Sequence, residues 1–171
     1  MPRAVLLVSF IAAIGLWSAG GGSARAEAGD SAALAAAMKD ATATLQGGLT
    51  ASEPKGTRIS AKFEIGDGKL QLSVYTMKGN DFMEVVADPK TGAIARAEKI
   101  TDAVDLNEAA SQKAAMAKAK VSLLVATETA VKANPGSRAV SIVPELKNGQ
   151  ATAEVTLLTG NAFKKVSEKL D

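Results

Sequence analysis

The sequence contains neither cysteine nor histidine, and aromatic residues make up only 4% of it. Without these residues there can be no disulfide framework and no zinc site of the cysteine or histidine type. The nucleophile–base pairs that most serine and cysteine hydrolases use are also missing. Because hydrophobic residues still make up 47% of the chain, with alanine abundant among them, we expect an aliphatic, closely packed core.

The first residues have the features of a secretory signal peptide. Arg3 gives a positive start, residues 4–17 are almost wholly apolar, and residues 23–26 offer small side chains for cleavage after Ala26. A membrane anchor is the alternative, but the apolar run ends at Gly20 and is shorter than the ~20 residues that a spanning helix needs. We therefore predict a Sec-type signal peptide at residues 1–26 and a periplasmic or secreted mature protein.

The charges balance once this leader is removed. The formal net charge of the whole chain is +2, and the loss of Arg3 and Arg25 brings it to 0. A near-neutral chain with interspersed signs gives no electrostatic reason to expect nucleic-acid binding or attachment to an anionic membrane. Residues 27–171 are enough for one ordinary core or two small ones.

One short stretch of sequence occurs twice. Residues 78–85 and 159–166 have glycine, asparagine, phenylalanine and valine in the same relative places. These repeat-signature residues are Gly79, Asn80, Phe82, Val85, Gly160, Asn161, Phe163 and Val166. Because matching polarity at a fixed period indicates one structural unit used twice, we predict two tandem units, at residues 27–104 and 105–171.

The first predicted unit starts with a helix from Asp30 or Ser31 to about Gln46, which Gly47 and Gly48 end. Alternation of apolar and polar residues then predicts four strands, at residues 58–65, 69–77, 82–87 and 93–100.

The second unit starts with a predicted helix over residues 105–133, in which Asp105 and Glu108 have the spacing of a capping box. Its core-facing residues are predicted to be Val121, Leu124, Val125 and Val131. Three strands follow, at residues 138–146, 151–158 and 162–167, and residues 168–171 are expected to be frayed. The predicted fold is α+β, in two tandem units, each with one helix packed on a three- to four-stranded antiparallel meander sheet. The sequence leaves open whether the two sheets join edge to edge or face each other through the helices.

The strongest turn signal is Asp88-Pro89-Lys90-Thr91-Gly92, which follows an apolar strand and precedes Ile94. An aspartate that accepts backbone hydrogen bonds, a proline and a final glycine are typical turn chemistry. Together with the order of helix, hairpin and strand, this stretch resembles the PepSY domain family over residues 31–100. Residues 106–171 resemble the same family in their helix and hairpin but lack the final hairpin.

The resemblance implies an exported, non-catalytic module that binds a protein or peptide partner in the cell envelope, such as a peptidase that it inhibits or regulates. It implies no cofactor, and it makes Asp88, Pro89 and Gly92 fold-defining rather than catalytic. A periplasmic carrier or sensor of a small apolar ligand, held between helix and sheet, is the alternative.

Two fragments resemble enzyme motifs, but their context argues against them. Residues 52–55 match S-x-x-K and residues 90–92 match K-T-G, yet the first precedes a strand in a proline loop and the second is a turn. Asp81, Glu84 and Asp88 are near in sequence but lack a calcium-loop pattern, so we expect solvated carboxylates. We predict no catalytic residues and no metal site.

Two further pairs of residues are candidates for partner contacts. Arg58 and Arg138 both stand at strand starts, in places that we take as equivalent, where each could hold a carboxylate of a partner or an ordinary ion pair. Tyr75 and Met77 could face a partner, but we expect them to pack beneath the other half of the molecule.

Overall fold

The computed structural model describes residues 23–171, with side chains from residue 29 onward. Nearly all of the predicted signal peptide lies outside these residues, so its cleavage after Ala26 stays a prediction. The described helices are α1 (Ser23–Ala37), α2 (Leu45–Ala51), α3 (Ala103–Met116) and α4 (Leu123–Ala133). The described strands are β1 (Thr57–Gly66), β2 (Lys69–Lys78), β3 (Asp81–Ala87), β4 (Ile94–Lys99), β5 (Arg138–Lys147), β6 (Gln150–Thr159) and β7 (Ala162–Lys169). The α+β class and the positions of the strands are confirmed.

All seven described strands belong to one antiparallel sheet, in the order β4-β3-β2-β1-β5-β6-β7. The central contact between β1 and β5 is short, with only the pairs Ala61–Ile142 and Lys62–Ser141 in register. The sheet is therefore continuous through β1 and β5, which answers the question that the sequence leaves open.

The end of the chain is ordered, so the predicted fraying of residues 168–171 is wrong. Strand β7 runs to Lys169, and the Leu170 side chain is fully buried. The Leu170 amide donates to the Ala151 carbonyl at 2.9 Å, and its carbonyl accepts from the amides of Lys120 and Val121. Burial of an aliphatic side chain, with its backbone groups paired, holds this end in place.

The first predicted helix is divided in two. After α1, a 3₁₀ turn at Met38–Asp40 leads to an extended stretch, and the Thr44 hydroxyl then caps α2 by accepting from the Gly47 amide at 3.0 Å. Gly47 and Gly48 lie inside α2 rather than ending a helix, which corrects the prediction. A Cβ atom on Gly48 would lie 2.5 Å from Leu72 Cδ2, so this glycine allows α2 to approach the sheet closely.

The second predicted helix is also divided, between α3 and α4. Asp102, not Asp105, is the N-cap of α3, because its carboxylate accepts from the amides of Val104 and Asp105. Ser122 caps α4 at the Val125 amide, 3.2 Å away. Val125 is 49% exposed, so it is not in the core as predicted. The buried side of α4 consists of Leu123, Ala126, Thr127 and Ala130.

The helices lie on the two faces of the sheet. Leu45 and Leu49 of α2 and the buried side of α4 belong to the main core, together with Phe63, Leu72, Val74, Val155 and Leu157 of the strands. We call this side the α2–α4 face. A smaller cluster on the opposite side joins Ala109 of α3 to Ile59, Tyr75, Phe82 and Ile100, and we call that side the α3 face. The sheet therefore separates two apolar layers of unequal size.

Candidate functional site

A row of aligned residues crosses the α3 face from one edge of the sheet to the other. Cross-strand pairing places Arg96, Val86, Ser73, Lys62, Ser141, Thr156 and Lys165 next to one another in that order. Side chains of residues directly paired across a sheet point to the same face. We call this set the transverse row; it has a cation at each end and a third, Lys62, at its centre.

A groove of about 450 Å³ lies over one half of the transverse row. Its floor is formed by Lys62, Ser141, Thr156 and Lys165, and Ser31, Leu34 and Phe163 also line it. The last two lining residues, Phe63 and Val140, are the sequence neighbours of Lys62 and Ser141 and belong to the main core. Ser31 and Leu34 come from α1, so this helix forms one wall. The volume is within the range of small-ligand sites, and the lining is mixed, with hydroxyls and ammonium groups beside aliphatic and aromatic side chains.

The Lys62 end of the groove is surrounded by carboxylates. Lys62 Nζ lies 2.6 Å from Glu64 Oε2 and 5.6 Å from the centroid of the Tyr75 ring. Burial, followed by the charge of Asp102, raises the pKa of Asp105 at the start of α3, and burial, followed by the charge of Asp105, raises the pKa of Glu108. The charge of Lys62 acts in the opposite direction on both pKa values. The positive charge of Lys62 is thus largely balanced by groups of the protein itself.

Next to Lys62, polar side chains form a partly buried network on the α3 face. The Ser73 hydroxyl donates to Glu84 Oε1 at 2.8 Å, and Gln71 Nε2 donates to Glu64 and to Ser73 at 3.3 and 3.2 Å. Burial, followed by the charges of nearby carboxylates, holds the pKa of the Tyr75 phenol far above its ordinary value. Tyr75 therefore stays protonated at physiological pH and cannot serve as a base.

The Lys165 end of the groove is more open and more positive. The Lys165 side chain is 61% exposed and pairs with Glu154 at 2.7 Å. Lys164 and Lys169 lie on the same strand, and Lys164 Nζ donates to Asn134 Oδ1 on the other side of the sheet. An anion approaching the groove would therefore meet a net positive charge at β7 and a balanced one at Lys62.

None of residues 88–92, which form the Asp88 turn, lines this groove. The Asp88 carboxylate accepts from the amides of Thr91 and Lys90 at 2.7 and 3.0 Å, and these bonds lower its pKa. Gly92 has a φ of 73° and closes the turn onto the Asp88 carbonyl. The Pro89 carbonyl accepts from the Ala43 amide, and the Lys90 carbonyl accepts from the Thr42 hydroxyl. The turn thus holds the connection between α1 and α2, which is a structural role.

The two copies of the repeat signature have different surroundings. Phe82 is only 8% exposed and belongs to the cluster under α3, whereas Phe163 is half-buried and lines the groove. Gly79 and Gly160 have similar positive φ values, 64° and 60°, in the turns that contain the exposed Asn80 and Asn161. Val85 is fully buried in the main core, and Val166 packs against it.

The other sequence candidates do not come together. Asp81 pairs with Lys99 at 2.6 Å, and Glu84 belongs to the partly buried network beside Lys62. Ser52 is buried and donates to the Leu49 carbonyl. Within residues 23–171, no three acidic, cysteine or histidine side chains are grouped as a metal site would require. No described helix is long and apolar enough to cross a membrane.

Arg58 and Arg138 are not equivalent, which corrects the prediction. The register of β1 shifts between Arg58 and Ser60, and that of β5 shifts between Ala139 and Ser141, so Ala139 is the counterpart of Arg58. Arg58 forms an ion pair with Glu53 at 3.4 Å. Arg138 instead donates to three carbonyls of the α1–α2 connection, those of Met38, Ala41 and Ala43.

Tyr75 packs beneath α3, as expected, and Met77 packs against the same cluster. The transverse row is the feature that the sequence does not reveal. Alternation places Lys62 and Thr156 on the polar side of their strands, but only the β1–β5 pairing brings those strands into one row.

No family model matches the sequence, and no curated protein matches it. One solved structure, of a putative lipoprotein from Clostridium difficile, has 14% sequence identity with this chain and a TM-score of 0.41. The alignment covers 72% of this chain and 82% of that one.

Proposed function

We propose that this chain is an exported, non-catalytic binding module, in which the groove between α1 and the sheet holds a segment of a protein or peptide partner. The groove itself carries the proposal: it combines apolar walls with hydroxyls and ammonium groups on a rigid sheet. The edge strands fit the role less well. Both carry charges, at Arg96, Glu98 and Lys99 on β4 and at Lys164, Lys165, Glu168 and Lys169 on β7, and charged edges discourage strand addition.

The resemblance to PepSY domains extends the proposal to control of a peptidase in the envelope. Two tandem units are supported by the turn at Asp67-Gly68 and the turn at Asn148-Gly149. Both residues of each turn have positive φ values, 51° and 71° in the first and 52° and 80° in the second. Matching register shifts in β1 and β5 support the same duplication. Each unit would contribute two helices rather than one.

The test is capture from an envelope extract of the source organism on the immobilised protein, followed by a peptidase assay with and without added free protein. A Ser141→Arg variant, which fills the floor of the groove from a half-buried position on the sheet, is the matched control. We expect the wild type to retain a peptidase and slow it, and the variant to do neither. Equal retention by both proteins, or an unchanged rate, would argue against the groove as the regulatory surface.

A carrier of a small apolar ligand is the second candidate, favoured by the walls of Leu34, Phe63, Val140 and Phe163. The hydroxyl groups on the floor of the groove argue against this second candidate. An acyl chain over Ser141 and Thr156 would remove two hydroxyls from water without bonding them, at a cost of about 1–3 kcal/mol each. Saturable enhancement of the fluorescence of N-phenyl-1-naphthylamine, competed by decanoate and lost in Ser141→Arg, would support the carrier.

A further inference from the structure

The half of the transverse row that forms the groove has the length and the chemistry of a short peptide site. Neighbouring strands are about 4.8 Å apart, so the three steps from Lys62 to Lys165 span about 14 Å. An extended peptide advances about 3.3 Å per residue, so about four residues would cover the row. Ser141 and Thr156, at its middle, offer hydroxyls to the amide groups of such a peptide.

The two ends of the groove differ in what they can attract. Lys62 is 18% exposed and already faces Glu64, with the carboxylates of Asp105 and Glu108 on α3 close enough to interact with it. Lys165 is 61% exposed and has the single paired carboxylate Glu154, itself 40% exposed. A carboxylate on a ligand is therefore attracted to the Lys165 end. The Phe163 ring beside it, with Leu34 across the groove, can contact an apolar side chain next to that carboxylate.

We propose that the groove recognises the free C-terminus of a peptide with an apolar last residue, with its carboxylate at Lys165 and Thr156 and its last side chain against Phe163. This inference rests on the proposed function, since it names the class of segment that the groove holds. The amide groups of a peptide can form hydrogen bonds with the hydroxyls of Ser141 and Thr156, whereas an acyl chain cannot. The bound end would lie at the β7 edge, and the three preceding residues would run toward Lys62.

Isothermal titration calorimetry with two probes tests the proposal: acetyl-Ala-Ala-Val-Phe with a free carboxylate, and the same peptide as its C-terminal amide. We expect the acid to bind about fivefold more tightly, because a partly exposed ion pair contributes up to about 1 kcal/mol. Lys165→Gln should remove this difference and leave the affinity for the amide unchanged. Lys164→Gln, one residue away on the opposite side of the strand, should keep the difference.

The possible outcomes distinguish a failure of this inference from a failure of the proposed function on which it rests. Equal binding of acid and amide by the wild type would overturn the carboxylate subsite but leave peptide binding in the groove intact. An unchanged acid preference in Lys165→Gln would also overturn the assignment to Lys165. Binding of neither peptide would overturn both the inference and the groove as a peptide site, and tighter binding of decanoate than of the acid would point to the carrier instead.

Discussion

Arg138 is expected to contribute strongly to stability, because it joins β5 to the α1–α2 connection. Its Nη1 donates to the carbonyls of Met38 and Ala41 at 3.0 and 2.9 Å, and its Nη2 donates to that of Ala43 at 2.8 Å. The guanidinium also lies 5.7 Å from the centroid of the Phe63 ring. Burial lowers the pKa of Arg138, but an arginine stays charged at any physiological pH.

Replacement of Arg138 by methionine keeps most of the apolar stem and removes all three hydrogen bonds. A hydrogen bond to a charged group contributes about 1.5–3 kcal/mol, but these three contacts are only partly buried, so water can replace some of what is lost. We therefore expect a loss of about 3 kcal/mol in the free energy of unfolding, or a fall in Tm of roughly 6–12 °C for a protein of this size. Arg138→Lys should lose about 2 kcal/mol, because one ammonium group cannot replace a planar fork.

Urea and thermal unfolding followed by circular dichroism measure these losses, with Arg58→Met as the control. Arg58 also stands near a strand start, but its ion pair with Glu53 is exposed on the carboxylate side, 70%, and should contribute less than about 1 kcal/mol. Equal losses in Arg138→Met and Arg58→Met would refute the claim that the three carbonyl bonds tie β5 to the α1–α2 connection.

Three further predictions concern single contacts. Glu108 has a raised pKa in the folded state, so its ionisation lowers stability above that pKa and has no effect on stability below its ordinary value of 4.5. Glu108→Gln should therefore raise the unfolding free energy at pH 7 by roughly 0.5 kcal/mol. In unfolding titrations this gain should vanish below pH 4.5. Asp88 has a lowered pKa, so the contribution of its charge is present above its ordinary value of 3.8 and is lost as the pH falls through the lowered one. Asp88→Ala should therefore lower Tm more at pH 7 than at acidic pH. Asp88→Asn, whose amide oxygen still accepts but carries no charge, should lower Tm at pH 7 by less than Asp88→Ala does. Gly48→Ala should destabilise the protein by about 1–2 kcal/mol despite the better helix propensity of alanine, because the new Cβ would meet Leu72. Gly47→Ala, at the exposed neighbouring position, is the control in urea unfolding. A loss in Gly48→Ala no larger than that in Gly47→Ala would contradict this prediction.

The strands could be predicted because their signal is local. Ile59, Ala61 and Phe63 alternate with polar residues, and the Asn148-Gly149 and Asp67-Gly68 turns fix where each hairpin reverses. The breaks in the two helices were missed for a different reason. Residues 117–122 contain neither glycine nor proline, so the only local sign of a new helix start was the capping residue Ser122 before an apolar run. The break also depends on a distant residue, because the Leu170 carbonyl accepts from the amides of Lys120 and Val121.

The groove could not be predicted at all, because it depends on contacts between distant parts of the chain. Lys62 and Ser141 become neighbours only through the two-pair contact of β1 with β5. Arg138 reaches Met38 across 100 positions of sequence, and no periodicity in either segment signals that contact. The duplicated pattern indicated which residues repeat, but not how closely a helix would cover each copy.

The two phenylalanines of the repeat signature differ in how deeply they are buried, and the last prediction tests this difference. The same residue in the same repeat lies under α3 at Phe82 and lines the groove at Phe163. Phe82→Ala should lower the unfolding free energy by about 3 kcal/mol, as for truncation of a core aromatic, and Phe163→Ala by about 1 kcal/mol. In peptide titrations the order should reverse, with Phe163→Ala weakening the binding of acetyl-Ala-Ala-Val-Phe and Phe82→Ala leaving it unchanged in the folded protein. Equal stability losses, or equal effects on binding, would mean that the two copies are used alike, and would argue against the groove as the proposed peptide site.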